Sequence, residues 1–219
     1  LTLHERGSDF DLSVIGQSAR VSLPLLGDFN VQNALGVAAA ALALGYPLPE
    51  IADALRQVPQ VPGRLERISQ RPCPVLRDYA HTPDALERVL RTLRPLVRGR
   101  LIVVFGAGGD RDQGKRPLMG EVAQHFADVA IVTSDNPRTE NPDAIIDQIA
   151  AGMTPGGYHR VVERRAAIGY ALELAGENDL ILLAGKGHET YQILGSSKHP
   201  FDERVIVQEL LRGGAKAGA

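Results

Sequence analysis

The sequence predicts an α/β fold in which a mostly parallel sheet carries helices on both faces. From about residue 62 onward, apolar runs of strand length alternate with amphipathic segments of helix length, a pattern typical of repeated βαβ units. Polar loops, some of them rich in glycine, follow several of the apolar runs, as they do at the carboxyl ends of parallel strands. Together, the alternation and the loops favour an open sheet with a ligand site at one edge.

The composition is that of a globular protein and argues against nucleic-acid-binding and membrane-spanning proteins. The chain has 219 residues, of which 44% are hydrophobic and 23% charged. A net charge of -2 leaves no basic footprint for nucleic acid or an anionic membrane, and no apolar run is long enough for a membrane span. The single cysteine, Cys73, cannot form an internal disulfide, so we expect a reducing compartment, the cytoplasm. No secretion signal is visible. Because the chain begins at Leu1 rather than Met, in what reads as the middle of a domain, we expect a piece of a longer protein.

The segment Val61-Pro62-Gly63 predicts a boundary between residues 1–61 and 62–219, because two breakers of regular structure are adjacent there. Residues 1–61 are expected to hold strands at 11–16 and 20–26 and helices at 31–44 and 49–58, with Asn30 able to cap the first helix. In the second part, the predicted strands are 65–68, 75–79, 101–105, 129–133, 160–162 and 180–184. The predicted helices are 83–94, 117–126, 142–151, 165–175 and 202–212, followed by a frayed tail over 213–219.

The stretch LIVVFGAGGDRDQGKRP, residues 101–117, is the most informative loop, since five charged residues crowd seven positions after a glycine-rich turn. It matches a phosphate-binding P-loop except that Arg116 replaces the Ser or Thr that holds magnesium. It also places Asp110, Asp112 and Glu121 at calcium-loop positions, but Lys115 stands where that loop requires glycine. A solvated surface loop is a third interpretation, and one wall of a binding site is the one we favour.

Three further polar loops follow the strands predicted to end near residues 79, 133 and 184. Because these strands are predicted to be parallel, all four loops should meet at one edge of the sheet. Arg111 and Arg138 are suited to a carboxylate, whereas Asp135 and Glu189 could hold an ammonium group. Taken singly, each loop could be only a turn or a helix cap. Together they predict a zwitterionic, amino-acid-like ligand.

The motifs DYAHTPDAL, FGAGGDRDQGKRPLMG, SDNPRTENP and AGKGHETYQ, preceded by PGRLE, closely resemble the Mur ligase family of peptidoglycan-precursor synthesis. The match is to members that add the third residue of the stem peptide. The resemblance implies that residues 1–61 are the C-terminal part of a central ATP-binding domain. It also implies that residues 62–219 are the Rossmann-like C-terminal domain that holds the amino acid. The implied activity is ATP-dependent addition of meso-diaminopimelate to UDP-N-acetylmuramoyl-L-alanyl-D-glutamate through an acyl phosphate.

The resemblance also implies which residues bind each substrate. An intact DNPR motif implies meso-diaminopimelate rather than L-lysine as the amino acid, although the lysine-adding relative remains an alternative. The implied diaminopimelate site comprises Arg111, Asp135, Asn136, Pro137, Arg138, Gly185 and Glu189. The implied ATP site comprises Asn30, Asn33, Arg64, Asp78, Tyr79 and His81.

The family's P-loop and Mg²⁺ ligands are expected outside this chain, which should therefore be inactive alone. No metal site is expected within it. We expect a monomer with small-molecule substrates only. Two non-catalytic alternatives are a dinucleotide-binding module built on 106–109, which lacks the full glycine spacing, and an amino-acid-binding fragment.

Overall fold

A computed structural model of the protein describes residues 1–214. The chain divides into two compact units, Leu1–Val61 and Pro62–Ala219. The assignment of the first unit to a central ATP-binding domain and of the second to an amino-acid-binding domain stays a prediction. Within the described residues, no helix is both long and apolar enough to cross a membrane.

The first unit is a three-stranded antiparallel sheet, in the order β1-β2-β3, with two helices. Its elements are β1 (Thr2–His4), β2 (Gly7–Val14), β3 (Gln17–Leu23), α1 (Asp28–Ala43) and α2 (Leu48–Arg56). Alternate apolar residues of the hairpin, such as Phe10 and Val21, pack with Ala34 and Leu55 of the helices into a buried core. Two strands and two helices were expected here, whereas the short β1 was missed.

The expectation that Asn30 caps α1 is wrong. Gly27 precedes the helix, and Asn30 is already its third residue. Asn30 is buried, and its Nδ2 donates a 2.8 Å hydrogen bond back to the carbonyl of Leu26. The reason is local: Gly27, with a φ of +90°, turns the chain sharply enough to start the helix three residues early.

The second unit is built on a six-stranded sheet in the order β4-β5-β9-β6-β7-β8. All neighbouring strands are parallel except β4 and β5, which confirms the predicted α/β fold with a mostly parallel sheet. The elements are β4 (Glu66–Ser69), β5 (Val75–Asp78), α3 (Pro83–Leu93), a 3-10 turn (Arg94–Leu96), β6 (Leu101–Phe105), α4 (Lys115–Phe126), β7 (Val129–Val132), α5 (Pro142–Ala150), β8 (His159–Arg160), α6 (Arg164–Leu174), β9 (Leu180–Ala184), β10 (Tyr191–Leu194), β11 (Ser197–Pro200) and α7 (Glu203–Gly214).

The central strands are buried on both sides, which explains why they read as unbroken apolar runs. On one face, Ile102 and Ile181 pack against Ile168 of α6 and Val207 of α7. The alternate residues of the same strands, such as Val103, face the other way and are equally buried. The sheet is therefore covered on both faces, and only its edges and loops are open to ligands.

Two features of this unit were not expected from the sequence. The antiparallel hairpin β10–β11 forms its own two-stranded sheet, turning at Gly195 with a φ of +58°. In addition, α4 begins at Lys115, two residues before the proline that was expected to open it. The predicted tail is helical as far as Gly214, and its remainder, 215–219, lies outside the described residues.

Candidate functional site

Four loops meet at one edge of the six-stranded sheet because β5, β9, β6 and β7 are adjacent and parallel. Between the loops lies a cleft of about 370 Å³. Every residue predicted to bind the amino acid lines it except Pro137, which is buried. The lining residues are Tyr79, His81, Thr82, Gly106, Gly108, Arg111, Asp112, Lys115, Asp135, Asn136, Arg138, Gly185 and Glu189.

The loop after β6 and the loop after β7 are clamped together. Gly109 lies so close to the second loop that a Cβ on it would stand 1.9 Å from the Pro137 carbonyl oxygen. Arg116 is fully buried and donates two 2.8 Å hydrogen bonds to the carboxylate of Glu140. These bonds hold the pKa of Glu140 at about 2. Such a bidentate pair fixes the loops that form one wall of the cleft.

The contacts of this loop bear on its two alternative interpretations, a phosphate-binding P-loop and a calcium-binding loop. Arg116 points inward to Glu140, so it does not face a phosphate-binding cavity. Asp110 accepts hydrogen bonds from the backbone and hydroxyl of Thr139, and Asp112 accepts one from the amide of Gly114. Within residues 1–214, no three side chains among His, Cys, Asp and Glu come together as a metal site. The acidic residues of the loop therefore shape it rather than converge on a cation.

Asn136, Lys186 and Glu189 form a closed polar triangle beside the cleft. The Nδ2 of Asn136 donates a 2.9 Å hydrogen bond to Glu189, and the Nζ of Lys186 lies 3.0 Å from the Oδ1 of Asn136. The Nζ of Lys186 also lies 3.4 Å from the same Glu189 oxygen. Lys186 was not a predicted site residue. Its only signal in the sequence was its place between two glycines, too weak to find it.

Arg138 is held in a left-handed backbone conformation, with a φ of +51°. The hairpin fixes it there, because the Arg138 amide donates to Ile193 and its carbonyl accepts from Gly195. Its Nη1 donates a 2.7 Å hydrogen bond to the Gly109 carbonyl. The guanidinium is thus oriented by one edge, and its Nε and Nη2 make no hydrogen bond to the described residues. Sequence reasoning found Arg138 but not the hairpin that holds it.

Asp135 lines the cleft, and one of its two carboxylate oxygens is enclosed by the surrounding residues. Its Oδ2 is buried without a hydrogen-bond donor among the described residues, and the nearest cation, Arg164, lies 3.9 Å away. Gly185 makes room for it, since a Cβ there would stand 2.6 Å from this oxygen. Arg164 itself is tied to Glu203 by a buried ion pair of 2.8 Å. A buried acceptor without a donor is costly, and the nearby charge of Arg164 offsets part of that cost.

Basic side chains occupy the other side of the cleft. Arg111 is exposed, and its Nη1 donates to the neighbouring carbonyl of Asp110, at 3.3 Å. The Nζ of Lys115 donates a 2.6 Å hydrogen bond to the His81 carbonyl and so joins two of the loops. Desolvation by burial lowers the pKa of Lys115. The cleft therefore presents cationic donors and anionic acceptors side by side.

The residues predicted to bind ATP are divided between the two units. Asn30 and Asn33 lie on α1 of the first unit, where Asn33 donates to Asn30 at 3.4 Å. Arg64, Asp78, Tyr79 and His81 lie together in the second unit, where the Arg64 guanidinium stands 5.0 Å from the Tyr79 ring centroid and the His81 and Tyr79 ring centroids are 4.6 Å apart.

Asp78 has an evident structural role. Its carboxylate accepts 2.8 Å hydrogen bonds from the amides of Leu65 and Ala80, and burial raises its pKa despite these bonds. The cap of the following helix, α3, is Thr82. The contact of Asp78 with a nucleotide remains a prediction.

Comparison with known proteins agrees with this geometry. Residues 63–187 match the family described as "Mur ligase, glutamate ligase domain". The chain is 47% identical over 215 residues to the UDP-N-acetylmuramoyl-L-alanyl-D-glutamate–2,6-diaminopimelate ligase of Clostridium botulinum, covering 97% of this chain and 44% of that protein. It is 52% identical over 200 residues to the ligase of the same name from Gloeobacter violaceus, covering 90% of this chain and 41% of that protein.

A solved structure bearing the same ligase name superimposes with a TM-score of 0.75 at 40% identity. The alignment covers 97% of this chain and 44% of that one. The chain thus spans less than half the length of these relatives. With the family match extending over more than half of its residues, and with the sheet, the loops and the cleft all in place, this chain belongs to the Mur ligase family.

Proposed function

We propose that this chain forms the amino-acid-binding part of a ligase that joins meso-diaminopimelate to UDP-N-acetylmuramoyl-L-alanyl-D-glutamate, with ATP as the energy source. The printed names of the two bacterial relatives and of the solved structure support this substrate pair. Because the chain covers only 44% of the first of those relatives, the proposal concerns the longer polypeptide that contains it.

The observation that carries the proposal is the side-by-side placement of opposite charges in the cleft. Arg111 and Arg138 can bind a carboxylate through charge-assisted hydrogen bonds, and Asp135 and Glu189 can accept from an ammonium group. The far end of diaminopimelate carries both groups on one carbon. L-Lysine carries only the ammonium there, and would leave the arginines without a partner.

The proposed reaction proceeds in two transfers. A carboxylate oxygen of the UDP-linked dipeptide attacks the γ-phosphorus of ATP, and the bond to ADP breaks, leaving an acyl phosphate. The amine of diaminopimelate then attacks the acyl carbon, loses a proton and expels phosphate, which forms the amide bond. In this scheme the cleft residues bind and orient the amino acid, a contribution that comes from placement rather than covalent chemistry.

ATP contact through Asn30, Asn33, Arg64, Asp78, Tyr79 and His81 is part of the proposal. Within the second unit, its support is that exposed Arg64, placed beside the Tyr79 ring, is available for a phosphate. Magnesium accompanies ATP in such transfers. Its ligands are proposed to lie in the part of the longer polypeptide outside this chain. We further propose a monomer acting in the cytoplasm on small molecules only, without nucleic acid or membrane partners.

The test is phosphate release by the full-length polypeptide with ATP, magnesium and the UDP-linked dipeptide. We expect release that depends on meso-diaminopimelate, with L-lysine supporting little or none. Release with L-lysine but not with diaminopimelate would assign the chain to the lysine-adding relatives. No amino-acid-dependent release with either would leave a binding module, which a diaminopimelate titration by calorimetry would detect.

A further inference from the structure

Lys186 is fully buried, an unusual environment for a lysine unless its charge is matched. It lies two residues after the end of β9 and is flanked by Gly185 and Gly187, whose φ angles are +113° and +54°. This turn sends the side chain inward, where its Nζ lies 5.7 Å from the ring centroid of Phe201. Lys186 does not line the cleft, so it can act on a ligand only through other residues.

The contacts of Lys186 determine which way the amide of Asn136 faces. The Oδ1 of Asn136 accepts from the Nζ of Lys186 and from the backbone amide of Ile193, both at 3.0 Å. Two donors on one side require the oxygen there, which leaves the Nδ2 to face Glu189. It donates to the Oε2 of Glu189 at 2.9 Å. The orientation of Asn136 is therefore imposed by its neighbours.

The same contacts set the carboxylate of Glu189. Its Oε2 receives the Asn136 bond and lies 3.4 Å from the Nζ of Lys186, whereas its Oε1 makes no hydrogen bond to the described residues. Glu189 lines the cleft, so the unengaged oxygen is the one available to a ligand. One buried cation thus fixes one oxygen of the carboxylate and leaves the other free.

We propose that Lys186 is a positioning residue for the amino-acid substrate, holding Asn136 and Glu189 in the orientation that receives the ammonium group. The inference deepens the proposed function and rests on it, because it concerns the same cleft. Lys186 itself touches no substrate. Loss of its charge should let Glu189 and Asn136 adopt other rotamers, so that binding of the amino acid weakens while binding of ATP does not.

A double-mutant cycle in the full-length polypeptide tests this role, using K186M, E189Q and the pair together. We expect K186M to raise the KM for the amino acid about tenfold, with kcat and the KM for ATP changed less than about twofold. In the E189Q background, K186M should lower kcat/KM by only about twofold, since the residue it positions is already altered. Lys186→Gln, which keeps a shorter donor, should restore part of the loss.

The matched control is K198M, because Lys198 is exposed on the hairpin and lies 4.2 Å from the Tyr191 ring centroid, away from the cleft lining. It should leave all kinetic constants unchanged. Thermal unfolding of each variant shows whether the fold is retained, and Lys186→Gln takes the place of K186M if the latter does not fold. Independent losses from K186M and E189Q, or an unchanged KM for the amino acid, would overturn the inference.

The cycle is run with whichever amino acid the unmodified protein uses. Use of L-lysine in place of diaminopimelate would refute the proposed substrate, yet the coupling between Lys186 and Glu189 would still be measured. Failure of the positioning role and failure of the proposed function therefore give different results.

Discussion

Glu140, in the loop after β7, accepts two 2.8 Å hydrogen bonds from the buried guanidinium of Arg116 and so helps to hold this loop against the loop after β6. Glu140 is about one-fifth exposed, at 21%, whereas Arg116 is entirely enclosed. Arg116 also donates to the carbonyl of Gly108 and to Gln148, so one cation organises both loops. A buried arginine without its carboxylate would be left with an uncompensated charge.

We therefore predict that E140A destabilises the protein by about 3–5 kcal/mol. Urea unfolding followed by circular dichroism measures the change. The control is E87A, because Glu87 forms an exposed pair with Arg91 one helical turn away and should contribute under about 0.5 kcal/mol. Equal losses from the two variants would show that the clamp adds no more than a surface ion pair.

The same pair predicts a loss of stability in acid. Hydrogen bonds from Arg116 lower the pKa of Glu140 from 4.5 to about 2. A lowered pKa means that the stabilisation is complete above pH 4.5 and is lost as the pH falls toward 2. The difference in unfolding free energy between the unmodified protein and E140Q should therefore shrink over that range. A difference that stays constant with pH would contradict the assignment.

Among the arginines that line the cleft, we expect substitution of Arg138 to lower kcat/KM the most. R138A should lower kcat/KM for diaminopimelate by about 30- to 1,000-fold, corresponding to roughly 2–4 kcal/mol for a charge-assisted contact. R138K should recover only part of this, because an ammonium cannot provide two parallel donors. Steady-state kinetics of the full-length polypeptide measures both. The control is R165A on α6, where Arg165 pairs with Glu209 at the surface, and it should change nothing.

Close approach of the two clamped loops gives a prediction for Gly109. G109A would place a methyl group 1.9 Å from the Pro137 carbonyl oxygen, so the loops must separate. We expect a loss of about 1–3 kcal/mol together with weaker binding of the amino acid. The control is G169A inside α6, where the nearest atoms are Leu210 methyls at 3.8 Å and more. It should stabilise by about 0.5–1 kcal/mol. Thermal unfolding measures the stability of both variants. If G109A were as stable as the unmodified protein, the close approach of the two loops would be contradicted.

Much of the second unit could be predicted because its central strands are buried on both faces. Strands such as β6 and β9 read as continuous apolar runs, and their predicted bounds are the observed ones. Parallel strands carry their loops to one edge, so the grouping of Arg111, Arg138 and Glu189 followed from topology alone.

The unexpected features depend on contacts that local sequence does not encode. Apart from buried Gln192, the strands of the hairpin β10–β11 hold exposed and partly buried residues with little apolar alternation. The pairing of Leu194 with Arg138 is a long-range contact. Lys186 looks like any glycine-flanked lysine until the fold encloses it. Asn30 looks like a helix cap until Gly27 starts the helix earlier. The local sequence around each of these residues does not show which distant residues it contacts in the folded protein.

Strand order has a consequence for how the protein is assembled. The strand Leu180–Ala184 is the last of the six in the chain, yet it sits between Val75–Asp78 and Leu101–Phe105. Without this strand, the native pairings of the earlier strands form two separate groups, and the backbone groups on the two edges that face its position lack hydrogen-bond partners. The last strand of the sheet in the chain is thus the one that joins its two parts, and the loops around the ligand cleft are brought together only when this strand inserts between them.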